Sequence, residues 1–513
     1  MTASAGSPVT VHGPDGAVTG QRRTALAGGS GWLPVIPAVV TLVVMLYHIQ
    51  RPSFWRDEGA TLAAVHRSLP QMFRMLGTQD AVHGAYYLLI WFWVRLFGSG
   101  ELALRLPSAA AMAVAAAFIA LLGRRLVSPG AGLAAGLVFA ALPSVSRYGQ
   151  EARSYALVAA LATVASYLFV RVLDAEPATR RRWLTGYGVA LAGLGLANIF
   201  GLLLIPAHLP LLLLRLRAAG QPASSGEQGP AGAARGLLRG WLAAVVAAGV
   251  VVSPVIVLTW SQRNEVRWIK PVSLKEIGSL TGLAGGFRPT LVMLVIIACA
   301  VVASAIRGRA RRQADWPAAL VALAVPWLLL PAALLLAGSL IHPSYTFRYI
   351  VFCIPAAALL AGVALAALGR WLGVVGLILI VLAGLPGQQH ARAVSGHSEN
   401  LRQLSHLLAR HAQPGDAVIF AGRNDREFEA AYPAGYRGLR DVALGRTAVS
   451  AGRLLATDAP TPVVRSRLST VTRLWGVETG ADRGNVPVLS GLGFRQVRRW
   501  DVSGIWLVLY TRP

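Results

Sequence analysis

The sequence predicts an all-α polytopic membrane protein of about 11 to 13 transmembrane helices, followed by a small C-terminal extracytoplasmic α/β domain. Composition and run length predict the membrane part. The 513 residues are 55% hydrophobic and only 14% charged, the mean hydropathy is +0.55, and apolar runs long enough to cross roughly 30 Å of hydrocarbon recur along the chain. A change of texture predicts the appendage: past residue 387 the long runs stop and proline- and glycine-punctuated sequence begins. A soluble fold could not bury so much apolar surface.

The long runs are about 31–50, 104–122, 153–173, 237–259, 290–306, 318–341, 348–368 and 371–385, and shorter or broken ones fall at 84–98, 131–146 and 185–214. The net charge of +26 could suggest a nucleic-acid binder, but the arginines gather at the ends of apolar runs: Arg124 and Arg125, Arg180 to Arg182, Arg215 and Arg217, and Arg307 to Arg312. Loops of that kind are held on the cytoplasmic side, so no nucleic acid is expected as partner. The two cysteines, Cys299 and Cys353, lie inside apolar runs and imply neither a disulfide framework nor a thiolate metal site.

Orientation follows from the same clusters. Residues 1–27 form a cytoplasmic tail, 28–387 the transmembrane domain with an exterior loop over 51–83, and 388–513 the extracytoplasmic domain of a plasma-membrane protein. The Arg124 pair and the Arg180 to Arg182 run both belong inside. This requires 147–153 outside and a re-entrant or split helix within 84–215, at Asn198 and Phe200 or in 84–103. In the C-terminal domain, Leu401, Leu404, Leu407 and Leu408 recur at helical spacing, Pro414-Gly415-Asp416 turns into a strand over 417–420, and further strands are expected at 462–465, 486–489 and 504–510.

Polar residues cluster between the runs. After the first run comes Phe54-Trp55-Arg56-Asp57-Glu58-Gly59-Ala60, then an interfacial helix over 61–76, then Asp80-Ala81-Val82-His83 where the chain returns to the membrane. An interfacial anchor would explain Trp55 and Arg56 but not Asp57, Glu58, Asp80 and His83 at one depth. Arg147, Tyr148, Gln150, Glu151, Arg153 and Tyr155 form a further group, with a helix over 151–155 that would put Glu151 and Tyr155 on one face. Gln262 to Lys270 and His342 to Tyr349 supply two more. Together they suggest a site for an anionic, hydroxyl-rich ligand. In the C-terminal domain Arg423, Asp425, Arg426, Glu427 and Tyr436 offer polar surface that could guide an extended ligand, and a domain needed only for stability or partner docking is the alternative.

Five elements carry a family resemblance: Arg56-Asp57-Glu58; Asp80-Ala81-Val82-His83 leading into Tyr86-Tyr87-Leu88-Leu89; Ala103-Leu104-Arg105-Leu106-Pro107-Ser108; Gln150-Glu151-Ala152-Arg153-Ser154-Tyr155; and Arg348-Tyr349 with Pro355. In order and spacing the chain resembles the GT-C superfamily of polytopic glycosyltransferases, near actinobacterial members of the protein O-mannosyltransferase and aminoarabinose-transferase type (glycosyltransferase family 39-like). The elements span roughly 50–360. Relatives commonly carry two prolines after the histidine where this chain has Gly84-Ala85.

The resemblance implies a polyprenyl-phosphate-linked donor of mannose or arabinofuranose, inversion at the anomeric carbon, and a cell-envelope glycan, glycolipid or protein as acceptor among the membrane lipids. A hydroxyl acceptor needs a base in line, for which Asp57 leads, with Glu58, Asp80 and Glu151 completing the catalytic set. The departing phosphate needs fixed positive charge: Arg153, Arg348, Lys270 and Arg267 are the candidates, with Tyr349 beside them. No cofactor is required. A divalent cation (Mg, Mn or Ca) could be held by Asp80 and His83, although two ligands are few and a hydrogen-bonded pair is the simpler reading. A flippase for polyprenyl-linked lipids and a non-catalytic envelope-assembly protein are the competing functions.

Overall fold

A computed structural model of the chain describes residues 32–219, 230–266, 268–311, 316–479 and 486–513. The expected cytoplasmic tail 1–27 and Arg267 lie outside them. Among the described residues eight helices are long and apolar enough to cross a membrane. The pair Pro129–Ala141 and Pro143–Gly149, bent by 65°, makes a ninth if it is one span. The bend falls where Pro143 opens a new helix: it has no N–H to continue the old one and its φ is already set for a first turn.

Contacts at helix ends sort the bundle into two faces. Asp174, ending Tyr155–Asp174, pairs at 2.9 Å with both Arg125 and Arg215, so the arginine-bearing ends of three helices meet at one face. At the opposite face Gln150 donates to the carbonyls of Met45 (2.7 Å) and Tyr47 (2.9 Å), and Gln262 donates to that of Leu76 (2.8 Å). Val35–Leu46 is apolar but only 12 residues long, and Pro177–Ala197 opens with three arginines, so among the described residues the spans that qualify by length and composition are eight or nine, fewer than the 11 to 13 expected. Asn198 ends Pro177–Ala197 and opens the short 3-10 turn Ile199–Leu203.

Gly84–Phe97 does not cross. It starts beside His83 and ends with Trp93 Nε1 donating to the Ala103 carbonyl (2.7 Å) and Arg95 donating to that of Arg67 (3.1 Å), so both ends stay at one face. This is the piece that reconciles the arginine clusters. The expected single interfacial helix over 61–76 is two helices, Arg56–Val65 and Leu69–Leu76, because Ser68 forms a capping box with Gln71 and Pro70 sits in the new first turn.

The C-terminal domain is a five-stranded mixed sheet with flanking helices. Its strands are β1 (Ala417–Phe420), β2 (Arg440–Asp441), β3 (Arg473–Thr479), β4 (Arg495–Val502) and β5 (Ile505–Thr511), in the order β2-β1-β3-β5-β4. β1 is parallel to β2 and β3, and β5 is antiparallel to β3 and β4. The helix at Leu401–His411, β1 and β5 match expectation, but 462–465 lies in the helix Thr461–Leu468 and 486–489 is a 3-10 turn. Pro462, in the first turn of that helix, suits a helix start better than a strand.

The domain is not a detached appendage. One buried cluster joins Leu62, Val65, Met72, Met75 and Tyr87 of the 51–97 region to Leu404, Phe420, Phe428, Trp475 and Leu507 of the domain. The two parts come close at Gly59, where a Cβ would lie 2.4 Å from the carbonyl oxygen of Glu427.

Candidate active site

The first two acids sit in the first turn of Arg56–Val65, after an extended Trp55 (φ −121°). A helix N-terminus favours carboxylates there, and the roughly 100° step between neighbours sends the two side chains apart. Glu58, 0% exposed, meets Arg105 through both oxygens (2.8 and 2.7 Å) and accepts the Ala152 N–H at 2.9 Å. Arg105 uses its remaining donors on the carbonyls of Ile49, Pro52 and Ser53. Glu58 is thus occupied in holding three segments together. Asp57, its side chain 19% exposed, turns the other way and ion-pairs with Arg348.

Asp80 occupies the left-handed region (φ +61°), an uncommon setting for a residue with a side chain. It is held there from outside. Its N–H donates to Glu265 (2.9 Å), the next N–H, of Ala81, donates to Gln262 (2.9 Å), and its carboxylate accepts the Tyr87 hydroxyl. Arg153 reaches the Tyr87 oxygen at 3.1 Å and His83 Nε2 at 2.7 Å. A guanidinium can only donate, so Nε2 is the acceptor and His83 carries its proton on Nδ1. With that lone pair engaged by Arg153, His83 is not free to ligate a cation as arranged, although its Nε2 lies 3.9 Å from Asp80, and among the described residues no three His, Cys, Asp or Glu side chains group for one.

Glu151 is 1% exposed and neither oxygen has a hydrogen-bond partner; its nearest cation is Arg147 at 3.7 Å. Burial pushes its carboxyl up to about 7, against the opposing pull of Arg147. The expected helix over 151–155 begins only at Tyr155, so Glu151 and Tyr155 do not share a helical face. The Glu151 carbonyl accepts from Ser108 at 2.7 Å, which fixes the bend.

Arg348 lies among rings as well as beside Asp57, its guanidinium 5.9 Å from the Trp55 ring and 5.5 Å from that of Trp268. Tyr349 stacks on Phe200 (4.8 Å). The structure therefore brings together Asp57, Asp80, His83, Arg153, Arg348 and the buried Glu151, while Lys270 is exposed and bonds to none of them. The residues that hold the site were harder to read. Gln262 and Glu265 stood in a polar loop with no assigned partner, and nothing in the sequence pointed to Glu399, which binds the Arg56 N–H (2.8 Å) and Nε (3.0 Å).

Residues 83–219 match the family model for dolichyl-phosphate-mannose-protein mannosyltransferase. That stretch includes His83, Tyr87, Arg105, Glu151 and Arg153. No curated protein sequence matches the chain significantly. Among solved structures, ArnT from Cupriavidus metallidurans bound to undecaprenyl phosphate superposes with a TM-score of 0.61 at 17% identity, covering 94% of this chain and 98% of ArnT. The chain has the GT-C fold. The apo form of that ArnT gives a TM-score of 0.60. The GT-C likeness extends to the Archaeoglobus fulgidus oligosaccharyltransferase (TM-score 0.50, 12% identity, 93% of this chain and 72% of that one). It extends also to the arabinofuranosyltransferase AftD from Mycobacteria (TM-score 0.50, 16% identity), where it covers 94% of this chain but 40% of AftD.

Proposed function

We propose that this GT-C protein is an inverting glycosyltransferase that moves a sugar, mannose or arabinofuranose, from a polyprenyl phosphate to an envelope acceptor. The observation that carries the reading is the Asp57 carboxylate, mounted on a helix start, partly open, and facing Arg348. In the proposed step the acceptor oxygen attacks the anomeric carbon and its proton passes to Asp57. The bond from that carbon to the phosphate oxygen breaks, and the electron pair leaves on polyprenyl phosphate. One displacement inverts the centre, so no carboxylate has to become a covalent nucleophile.

Arg348 is the best placed cation for the phosphate, because Arg153 spends its terminal nitrogens on Tyr87 and His83. An apolar groove of about 460 Å³, lined in part by Leu283, Met293, Leu328 and Leu336, offers a berth for the isoprenoid. Its wall is tied to the site: a Cβ on Gly282 would lie 2.9 Å from the Phe347 ring, next to Arg348. Glu58 positions Asp57 by fixing the helix start, and Asp80 with Tyr87 positions Arg153. The arginine-bearing helix ends lie opposite the site, so the charge rule puts the site and the C-terminal domain outside the plasma membrane.

The test is mass spectrometry of products after purified protein receives a panel of polyprenyl-phosphate sugars with glycan, glycolipid and peptide acceptors. A new glycoside of inverted configuration, absent with Asp57→Asn, supports the reading. Transport of the lipid without any glycoside formed would replace it with a flippase. Cysteines placed singly in 388–513 should react with an impermeant thiol reagent in intact cells, and protection of all of them would reverse the orientation.

A further inference from the structure

The polar residues of the C-terminal domain divide into occupied and unoccupied groups. Asp425 accepts from the Gly422 N–H (3.1 Å) and Thr479 (3.2 Å) and pairs with Arg56, while Arg426 is paired with Asp441 and Asp458. Arg423 has a side chain outside the described set. Glu427 and Tyr436 differ from these. The Tyr436 hydroxyl, on a residue 5% exposed, has no hydrogen-bond partner, and Glu427, 8% exposed, makes no side-chain hydrogen bond or salt bridge among the described residues while its oxygens are not among the fully buried ones.

Both residues line one groove of about 480 Å³ between Arg56–Val65 and the C-terminal domain, with Ala63 and His66 on the helix side and Glu429 and Leu454 on the domain side. A volume of that order is in the range of small-molecule sites. Its inner end is close to the reaction centre. The helix Glu427–Ala431 abuts Gly59, two residues past Asp57, and the Glu427 carboxyl lies within electrostatic range of Asp57, Arg56, Arg153 and Asp80. Burial also drives that carboxyl well above its ordinary range, so it can donate as well as accept a hydrogen bond.

We propose that this groove is an acceptor subsite for a neutral, hydroxyl-rich glycan, with Glu427 and Tyr436 taking hydrogen bonds from sugar hydroxyls near Asp57. The proposal rests on the glycosyl-transfer reading for the word acceptor, though not for the binding itself. Arg426, which also lines the groove, is already paired with Asp441 and Asp458, so the lining suits a neutral ligand better than the donor phosphate. The buried Tyr436 hydroxyl, left without a partner, carries a desolvation cost that a sugar hydroxyl would offset, and the Glu427 carboxyl in the same groove is free to bond as well. The alkyl surfaces of Ala63 and Leu454 suit the C–H face of a sugar ring. The same helix forms one wall of the groove and carries the proposed base, so an acceptor seated here is set by the element that sets Asp57.

The experiment uses full-length protein in lipid nanodiscs and saturation-transfer NMR with mannotriose and arabinofuranotriose as probes. Wild type should bind at least one of them, and Glu427→Gln and Tyr436→Phe should each weaken that binding about tenfold, the size of one lost hydrogen bond. Binding of undecaprenyl phosphate by both variants reports that they are folded. Failure of both trisaccharides to bind, or binding that survives both substitutions, overturns the subsite, as does selective binding of a polyamine such as spermidine. Glycoside formation without trisaccharide binding removes the subsite and leaves the transferase reading standing. Trisaccharide binding lost in the two variants, with no glycoside formed on any acceptor, supports the glycan site and removes the transferase reading.

Discussion

Arg348 sits on the carboxylate of Asp57, 291 residues earlier in the chain, and joins the start of the helix Arg56–Val65 to the 3-10 segment Phe347–Cys353. If Asp57 is the base, Asp57→Asn keeps the size of the side chain and removes the proton acceptor. The transfer rate should fall roughly 10²- to 10⁴-fold with labelled polyprenyl phosphate still bound. Turnover at the wild-type rate would move the base to Asp80 or Glu151.

Arg348→Ala should act on the donor instead. Loss of a desolvated charge contact to phosphate costs on the order of 2–5 kcal/mol, which a binding isotherm with labelled undecaprenyl phosphate would register as a large rise in Kd. An unchanged isotherm would take the phosphate away from Arg348.

Glu58 answers to stability. Its pair with Arg105 is fully buried, and removal of one partner strands the other, so Glu58→Gln should destabilise the fold by about 3–5 kcal/mol. The double change Glu58→Gln with Arg105→Met should recover part of the lost thermal midpoint. If it recovers none, the pair is not the source of the loss.

Glu151 gives a pH signature. Its carboxyl titrates near 7 in the fold, above its ordinary range, so the folded state holds a proton that the unfolded state has released. Stability should therefore decline as pH rises from the ordinary carboxylate range to about 7, and level off above it. Glu151→Gln removes this slope: the variant's melting temperature should gain on wild type between pH 5 and pH 8. A difference that is constant across that range would refute the assignment.

Gly59 reports on the domain junction. An added methyl would meet the Glu427 carbonyl at 2.4 Å, and backbone cannot rotate aside. Gly59→Ala should cost about 1–3 kcal/mol as overpacking and open the junction. Faster proteolysis between residues 392 and 400 at unchanged membrane insertion is the measurement; wild-type resistance would show that the two parts separate without loss.

The sequence alone determined the membrane class, the arginine-bearing run ends, the C-terminal domain and most of the polar groups that the structure gathers. These are local properties. Run length against bilayer thickness, arginines at run ends and a carboxylate after an apolar run can be read without knowing what packs on what. It also located β1, whose four residues are all buried, and β5, while missing β2, which is two residues long, β3, and β4, whose arginines mask the strand signal.

Tertiary structure alone decided the roles. Asp57 and Glu58 are neighbours of similar chemistry, and only the helical turn between them and the separate arrival of Arg348 and Arg105 make one open and the other saturated. The same holds for Gly84–Phe97, apolar like a span but kept at one face by Trp93 and Arg95, and for Glu427, which a 368-residue separation in sequence hides from Gly59. The physical reason is common to all three. The field and the unfilled hydrogen bonds at a buried group are set by whatever side chains fold against it, and sequence distance carries no record of that.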